Sequence, residues 1–372
     1  MVRKKISAYN LLEFIKKIVC FIDEQIYFEN LFTTYVLIKI LEEQNIDKQQ
    51  ICKIIIQYFF NNIEKSLVLN CNKNNDVLKE LKLLFQLNDK STNLAYSNFM
   101  QLAQFFYSQV LPLTSFFMAG VTTQSINKVF EFKTGFNVNV LTGFDNKLKA
   151  DFQKILNRES FWLDLFYLEI RISELFVHYC KLEIEYSKAL ESLAQATINL
   201  LNFTGYITIN HVNSVSNMAQ LLAEFMGFSE EEIFQIKVAG LLHDIGKVVV
   251  PKEILNYPGK LNQEQLKMIR VHSYYTYQFL RILDPPEIIL SAAYHHEKLD
   301  GTGYPFHLDK SKIPLSSQII AVADIYSALN EDRPYRKKLP ENEIKLILKE
   351  MVANKSLNSE IVDLISKIKK EV

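Results

Sequence analysis

Seven side chains of metal-ligand type recur along the second half of this 372-residue chain: His211, His243, Asp244, His272, His295, His296 and Asp324. Five of the chain's seven histidines belong to that set, each in a polar position of a segment with helical spacing of apolar residues. The other two, His178 and His307, lie outside it and read as ordinary residues. Asp324 is the single charge in the apolar run IIAVADIYSAL. One such residue is usually a core group satisfied by backbone or water. Seven together resist that explanation, because an isolated buried carboxylate is costly. Imidazoles and carboxylates are the ligand types of borderline transition metals such as Fe, Mn or Zn. The adjacent pair His243–Asp244 would let one carboxylate bridge two ions while each ion recruits its own imidazoles. Two ions about 3.5–4 Å apart form a clamp suited to in-line attack on a phosphoryl group.

The elements that must carry these residues read as helices. Ser229 with Glu232 is a capping box opening a helix over Glu230–His243, and Gly246 closes it. Asn262 precedes a helix over Gln263–Leu283, which stops before Pro285 and Pro286. A third runs through 286–296, residues 297–317 form a Gly/Pro-containing loop, and Gln318–Leu329 is helical again. The tail, 341–371, reads as two short helices. No sustained strand-type alternation follows residue 205, so the fold class is all-α.

At these residues a resemblance becomes specific. HDIGK at 243–247 resembles the signature of the HD phosphohydrolases, and HHEKLDGTGYP at 295–305 matches the HHExxDGxGYP motif of the HD-GYP subfamily at every fixed position. Thr208–His211, PGKL at 258–261, His272, the 313–329 segment and DRPYR at 332–336 match in order. The resemblance covers roughly 205–370. It implies metal-dependent hydrolysis of cyclic di-GMP to the linear dinucleotide pGpG or to GMP. It also implies that His211, His243, Asp244 and Asp324 hold one ion, and that Asp244 bridges to a second held by His272, His295 and His296. Asp244 and Lys247 are the implied catalytic pair, with Lys247 offering a cation to a phosphate oxygen one helical turn on. Gly301 and Gly303 free the backbone to approach a ligand. Tyr304 is placed to stack on guanine, and Arg333 and Arg336 are candidates for phosphate or base contact. Some relatives carry a Glu four residues before the first His that helps hold a third metal. Ile207 stands there in this chain, so two divalent ions, Fe or Mn, are expected. The alternatives are an HD phosphohydrolase acting on another nucleotide, or a non-catalytic cyclic-dinucleotide-responsive regulator.

The first two hundred residues are poor in Gly and Pro and read as mainly helical, with Asp47 as an N-cap for a helix through Ile51–Phe60. Residues 1–130 form an expected helical N-terminal domain, 131–204 a linker ending in a long connecting helix over Phe161–Leu201, and 205–372 the catalytic domain. That helix is a candidate for pairing with a copy of itself in a homodimer, or for packing on its own chain. Phe136–Val140 reads as a short strand. A faint internal repeat places NIDKQQICKIIIQYFFNNIEK (45–65) on GFSEEEIFQIKVAGLLHDIGK (227–247), and LPLTSFFMAGVTT (111–123) on IPLSSQIIAVADI (313–325). Asn61 and Asn62 then fall on His243 and Asp244, and Thr122 on Asp324. The reading is a degenerate HD-like domain without ligands.

Lys+Arg and Asp+Glu are equal at 42 each, which gives no long-range attraction for a nucleic acid polymer or an anionic membrane. Ala103–Val121 approaches the length of a bilayer span, but its polar residues and Pro112 favour a buried helix, a turn and a second helix. The basic start, interrupted by Lys16 and Lys17, does not read as a signal peptide. Four cysteines without CxxC spacing read as free thiols in a reducing cytoplasm.

Overall fold

The computed structural model describes residues 5–71, 85, 91–285, 287–332 and 336–371. They are overwhelmingly helical, as the composition and periodicity predict. The strands among them, β1 (Lys5–Ser7) and β2 (Glu183–Glu185), form one two-stranded ladder. No described helix is long and apolar enough to cross a membrane. The chain divides into two compact units, Ser7–Ile184 and Glu185–Val372, the second also taking in Lys5 and Ile6.

The N-terminal unit is built from α1 (Ala8–Ile22), α2 (Glu24–Glu43), α3 (Lys48–Cys71), α4 (Ser91–Val110), α5 (Thr114–Ala119), α6 (Thr123–Gly135), α7 (Asn146–Asn157), α8 (Glu159–Asp164) and α9 (Leu168–Tyr179). Helix starts follow the expected chemistry: Asp23 accepts from Ile26 N, and Asp47 from Gln49 N and Gln50 N. Helix α2 is apolar nearly all round and is buried accordingly, with α3 and α4 packed on it. Aromatic rings fill the space around it. Phe32, Phe106, Phe152, Phe161 and Trp162 are all buried, and Phe106 meets Phe152 edge-on at 5.1 Å between ring centres. The uncharged stretch around Ala103–Val121 is a helix, a turn at Leu111–Leu113 and the short α5. Cys52 and Cys180 are buried and free, and Cys20 is half-buried and free.

Three expectations fail in this unit. The connecting helix is not continuous. It is broken into α8, a 3₁₀ turn at Leu165–Tyr167, α9, β2 and then α10 (Tyr186–Phe203). The apolar period persists across the breaks. However, Leu182 O accepts from Ala8 N and Glu183–Glu185 pair as a strand, so the backbone there is committed elsewhere. The compact unit therefore runs to Ile184 rather than 130, and the segment offers no unbroken seam for a coiled-coil homodimer. Residues 138–140 form a 3₁₀ turn rather than a strand, started by Asn137 accepting from Asn139 N. Thr122 does not lie beside Asn62. It is the N-cap of α6 and exchanges hydrogen bonds with Ser125. The second half of the sequence repeat therefore has no counterpart in the packing.

The C-terminal unit continues with α11 (Ile209–Phe225), α12 (Glu230–Leu242), α13 (Lys252–Leu255), α14 (Gln263–Arg281), α15 (Glu287–Leu290), α16 (Leu315–Leu329), α17 (Glu341–Ala353) and α18 (Ser359–Glu371). The capping boxes Ser229/Glu232 and Asn262/Gln265 are both formed. Helix α11 is the hub, packed against α12 on one side and α16 on another, while α14 lies along the turn that follows α12. These helices converge with their polar positions inward, and that convergence is the site.

Candidate metal centre

The seven ligand-type side chains are delivered by the ends or inner faces of five segments. His211 lies in the first turn of α11, His243 at the C-terminus of α12, and Asp244 just beyond it. His272 is on the inner face of α14, His295 and His296 follow the 3₁₀ turn after α15, and Asp324 is on α16. All seven come together. His211, His243 and Asp244 form one group with donor atoms within 4.8 Å; His243, His295 and Asp324 form a second; His272, His295 and His296 form a third. Asp244 lies centrally, with Oδ2 at 3.2 Å from His243 Nε2 and Oδ1 at 3.4 Å from His272 Nε2. One oxygen faces each histidine, so this carboxylate would be within reach of both groups. Asp324 Oδ1 is 3.2 Å from His211 Nε2 and 4.0 Å from His243 Nε2.

The imidazoles are held by a repeated device. His243, His272 and His295 each place Nδ1 2.7 Å from the carbonyl oxygen three residues earlier, of Gly240, Ile269 and Ala292 respectively. A proton on Nδ1 donates to that carbonyl, which leaves the Nε2 lone pair facing the cluster. His243 Nε2 is fully buried, with Asp244 Oδ2 at 3.2 Å and no other hydrogen-bond partner among the described residues. A buried nitrogen aimed at carboxylates and other imidazoles without a proton partner suits a ligand atom.

Electrostatics agree for three of the imidazoles. His243 goes the other way, since burial lowers it but the Asp244 and Asp324 carboxylates outweigh that and raise it above its ordinary value. Burial pushes His272 and His296 down, and with the charge of His243 and His272 nearby it pushes His295 down to about 3. These rings are neutral at ordinary pH, the state a metal requires. Burial raises Asp244, but the Lys247 ammonium and His243 outweigh it and hold the carboxyl well below its usual range. Burial likewise raises Asp324, and the His211 hydrogen bond with the surrounding histidine charges reverses that. Both acids are carboxylates. The donor set therefore fits divalent transition ions.

Lys247 Nζ is 2.5 Å from Asp244 Oδ2, on the 3₁₀ turn Ile245–Val249. Gly246 serves that turn by contact rather than by ending α12 with a special φ. A Cβ there would lie 1.9 Å from His272 O. Thr276, missed in the sequence, locks the same junction: its Oγ1 donates to His243 O and accepts from Gly246 N, both at 3.0 Å.

The loop after His296 is fastened by its own glutamate. Glu297 is buried, and its two oxygens accept from Phe306 N at 2.7 Å and Leu308 N at 2.9 Å. Gly301 adopts φ +78° with open space around it, so it serves the turn. At Gly303 a Cβ would stand 2.4 Å from Glu297 Cα. Gly303 is thus required by a close approach of the loop's own backbone. Tyr304 lies against His296 with ring centres 4.8 Å apart, and the Arg270 guanidinium sits 5.2 Å above its ring. Arg336 donates to Ala328 O, Leu329 O and Lys337 O, so it caps α16 instead of offering a free guanidinium. Arg333 lies outside the described residues.

A pocket of about 370 Å³ opens onto the cluster, lined by Tyr206, Ile207, Thr208, His211, Asp244, Lys247, Tyr257, Glu331 and Asp332 among others.

The arrangement of HD residues on converging helices defines the class: residues 195–361 match the HD domain family. That match is in keeping with the HD-GYP-type phosphohydrolase that the motifs at 243–247 and 295–305 resemble. Relatives include the 3′3′-cGAMP-specific phosphodiesterase 1 of Vibrio cholerae, 33% identical over 60% of this chain and 52% of its own length. The cyclic di-GMP phosphodiesterase of Thermotoga maritima is 33% identical over 56% of this chain and 55% of its own. The chain thus spans about half the length of these curated relatives. A solved cyclic GMP-AMP-specific phosphodiesterase of V. cholerae shares the fold across 99% of both chains, with a TM-score of 0.60 at 17% identity.

Proposed function

We propose that the C-terminal unit is a metal-dependent phosphodiesterase acting on a cyclic dinucleotide, with cyclic di-GMP as the first substrate to test. The observation that carries this reading is the seven-residue cluster with Asp244 between His243 and His272. The pocket adds a charge argument. It presents Asp244, Glu331 and Asp332 against one described cation, Lys247, and would repel a phosphodiester by itself. Bound divalent ions reverse that sign.

In this reading His211, His243, Asp244 and Asp324 hold one ion, and Asp244, His272, His295 and His296 the other. When bound, the ions supply an activated water and charge neutralisation at the phosphorus. Asp244 fixes the separation of the two positions. Lys247 places its ammonium at the pocket wall, where it binds a non-bridging phosphate oxygen. Tyr304, braced between His296 and Arg270, presents an aromatic face for a base. A second substrate, 3′3′-cGAMP, is kept because V. cholerae relatives carry that specificity in their names.

The test is incubation of Fe- or Mn-loaded protein with each dinucleotide, followed by chromatography of products and elemental analysis. Linear dinucleotide or mononucleotide should appear, with close to two metal equivalents per chain. Asp244→Ala should lose both metal and turnover, by about 100–1,000-fold in rate on the scale of removing a principal charge-stabilising group. Full hydrolysis by that variant would sink the two-ion mechanism.

A further inference from the structure

Three histidines of the centre lean on backbone carbonyls, and His211 does not. Its i−3 residue is Thr208, the N-cap of α11, whose backbone is extended (φ −109°, ψ 122°) rather than helical. The Thr208 carbonyl accepts instead from Val212 N at 3.3 Å. The helical device available to His243, His272 and His295 is therefore absent in the first turn of α11. A carboxylate stands in its place. Glu331, in the bend that follows α16, puts Oε2 3.1 Å from His211 Nδ1. Its side chain is about one-quarter exposed, at 23%, against 11% for His211. On the opposite edge of the ring, Nε2 faces Asp324 Oδ1 at 3.2 Å. One segment of chain, α16 and the bend after it, thus brackets His211: Asp324 stands on the cluster side and Glu331 behind.

We infer that Glu331 is the positioning residue for His211 and that it makes the two metal positions chemically unequal. The inference rests on the ligand assignment proposed above. A carboxylate accepting the Nδ1 proton fixes the tautomer as a carbonyl does, but it also carries a full negative charge. That charge strengthens Nε2 as an electron donor, as outer carboxylates do for metal-bound histidines. The ion held by His211 gains this support. The ion held by His272 and His295 has only neutral carbonyls behind those two rings. Glu331 also lines the same pocket as Ile207. The pocket wall on the His211 side is thus acidic although residue 207 is apolar.

The test is stepwise chelator competition on Mn-loaded full-length protein, comparing wild type with Glu331→Gln and Glu331→Ala. The amide keeps the shape and an acceptor oxygen and removes the charge. Expected is a selective loss: one equivalent weakens by about 10–100-fold in both variants, the usual effect of losing such a partner. The other equivalent should keep its wild-type affinity. The thermal midpoint of the metal-free protein should stay unchanged in Glu331→Gln, which a merely structural role would not allow. Glu331→Asp, with a shorter carboxylate, should recover part of the lost affinity. Unchanged affinity for both equivalents in Glu331→Ala would overturn the inference. So would a wild-type content of three equivalents falling to two, because Glu331 would then be a ligand itself. Wild-type protein that takes up no transition metal would instead defeat the ligand assignment, a failure visible before any variant is made.

Discussion

Gly246 shows how little room the centre leaves. Its hypothetical Cβ meets His272 O at 1.9 Å and Thr276 N at 2.7 Å, both atoms of the α14 backbone. Backbone cannot swing aside as a flexible side chain can, so α14 would have to retreat. Since α14 carries His272, the retreat would pull that imidazole from Asp244. Gly246→Ala should therefore lower the urea midpoint by an amount equivalent to about 1–3 kcal/mol, the usual cost of overpacking. It should also reduce bound metal in the same preparation; normal stability with full metal would show that the turn can shift freely. Residue types and order made the seven ligand-type residues legible in the sequence. Glu331, Thr276 and Glu297 were not legible as partners, because nothing in the linear order ties residue 331 to 211 or 276 to 243. Gly303 was legible as a point of close backbone approach, while its packing on Glu297 was not.

At the scale of elements, local chemistry was readable and continuity was not. Asp47, Ser229 and Asn262 cap helices where their side chains predict it. The helix expected over Phe161–Leu201 failed because apolar spacing reports buried faces, and α8, α9 and α10 each bury one without being one helix. Its break depends on partners far away in sequence, such as Ala8. The junction of α12 and α14 gives a sharper test of element packing. Thr276 joins them through one hydroxyl that donates to His243 O and accepts from Gly246 N. Valine has the same shape and leaves both backbone groups buried and unpaired. Thr276→Val should cost about 1–3 kcal/mol on that account. Circular dichroism during urea unfolding of the metal-free protein measures it. A cost near zero would mean that water replaces the hydroxyl.

For the whole molecule, the question is whether the N-terminal unit repeats the helical frame of the metal centre without its chemistry. In the first half of the sequence repeat, the aligned residues Asp47 and Ser229 are both N-caps, a role shared by many helix starts. Asn62, aligned with Asp244, is buried where α2, α3 and α4 meet. There Asn62 Nδ2 donates to Thr33 Oγ1 at 3.2 Å, and Gln104 Nε2 donates to Asn62 Oδ1 at 3.1 Å. Thr34 Oγ1 donates to Asn30 Oδ1 at 3.2 Å, and Asn30 Nδ2 to Phe59 O at 3.0 Å. The helix opposite Asn62 is α4 with Gln104, not the segment with Thr122 that the alignment placed there. We propose that this hydrogen-bonded cluster of amides and hydroxyls occupies the place of a metal centre in a degenerate HD-like unit. Neutral amides and hydroxyls are poor ligands for transition ions, and here they satisfy one another, so no ion is needed to offset buried charge. All tightly bound metal should then reside in the C-terminal unit. Full-length protein carrying Asp244→Ala together with His295→Ala should hold less than about one-tenth of an equivalent after gel filtration, the two substitutions removing ligands from both positions. Circular dichroism should show the N-terminal helices intact. A whole equivalent surviving in that variant would place an ion among Asn30, Thr33, Asn62 and Gln104, and the unit would no longer be degenerate.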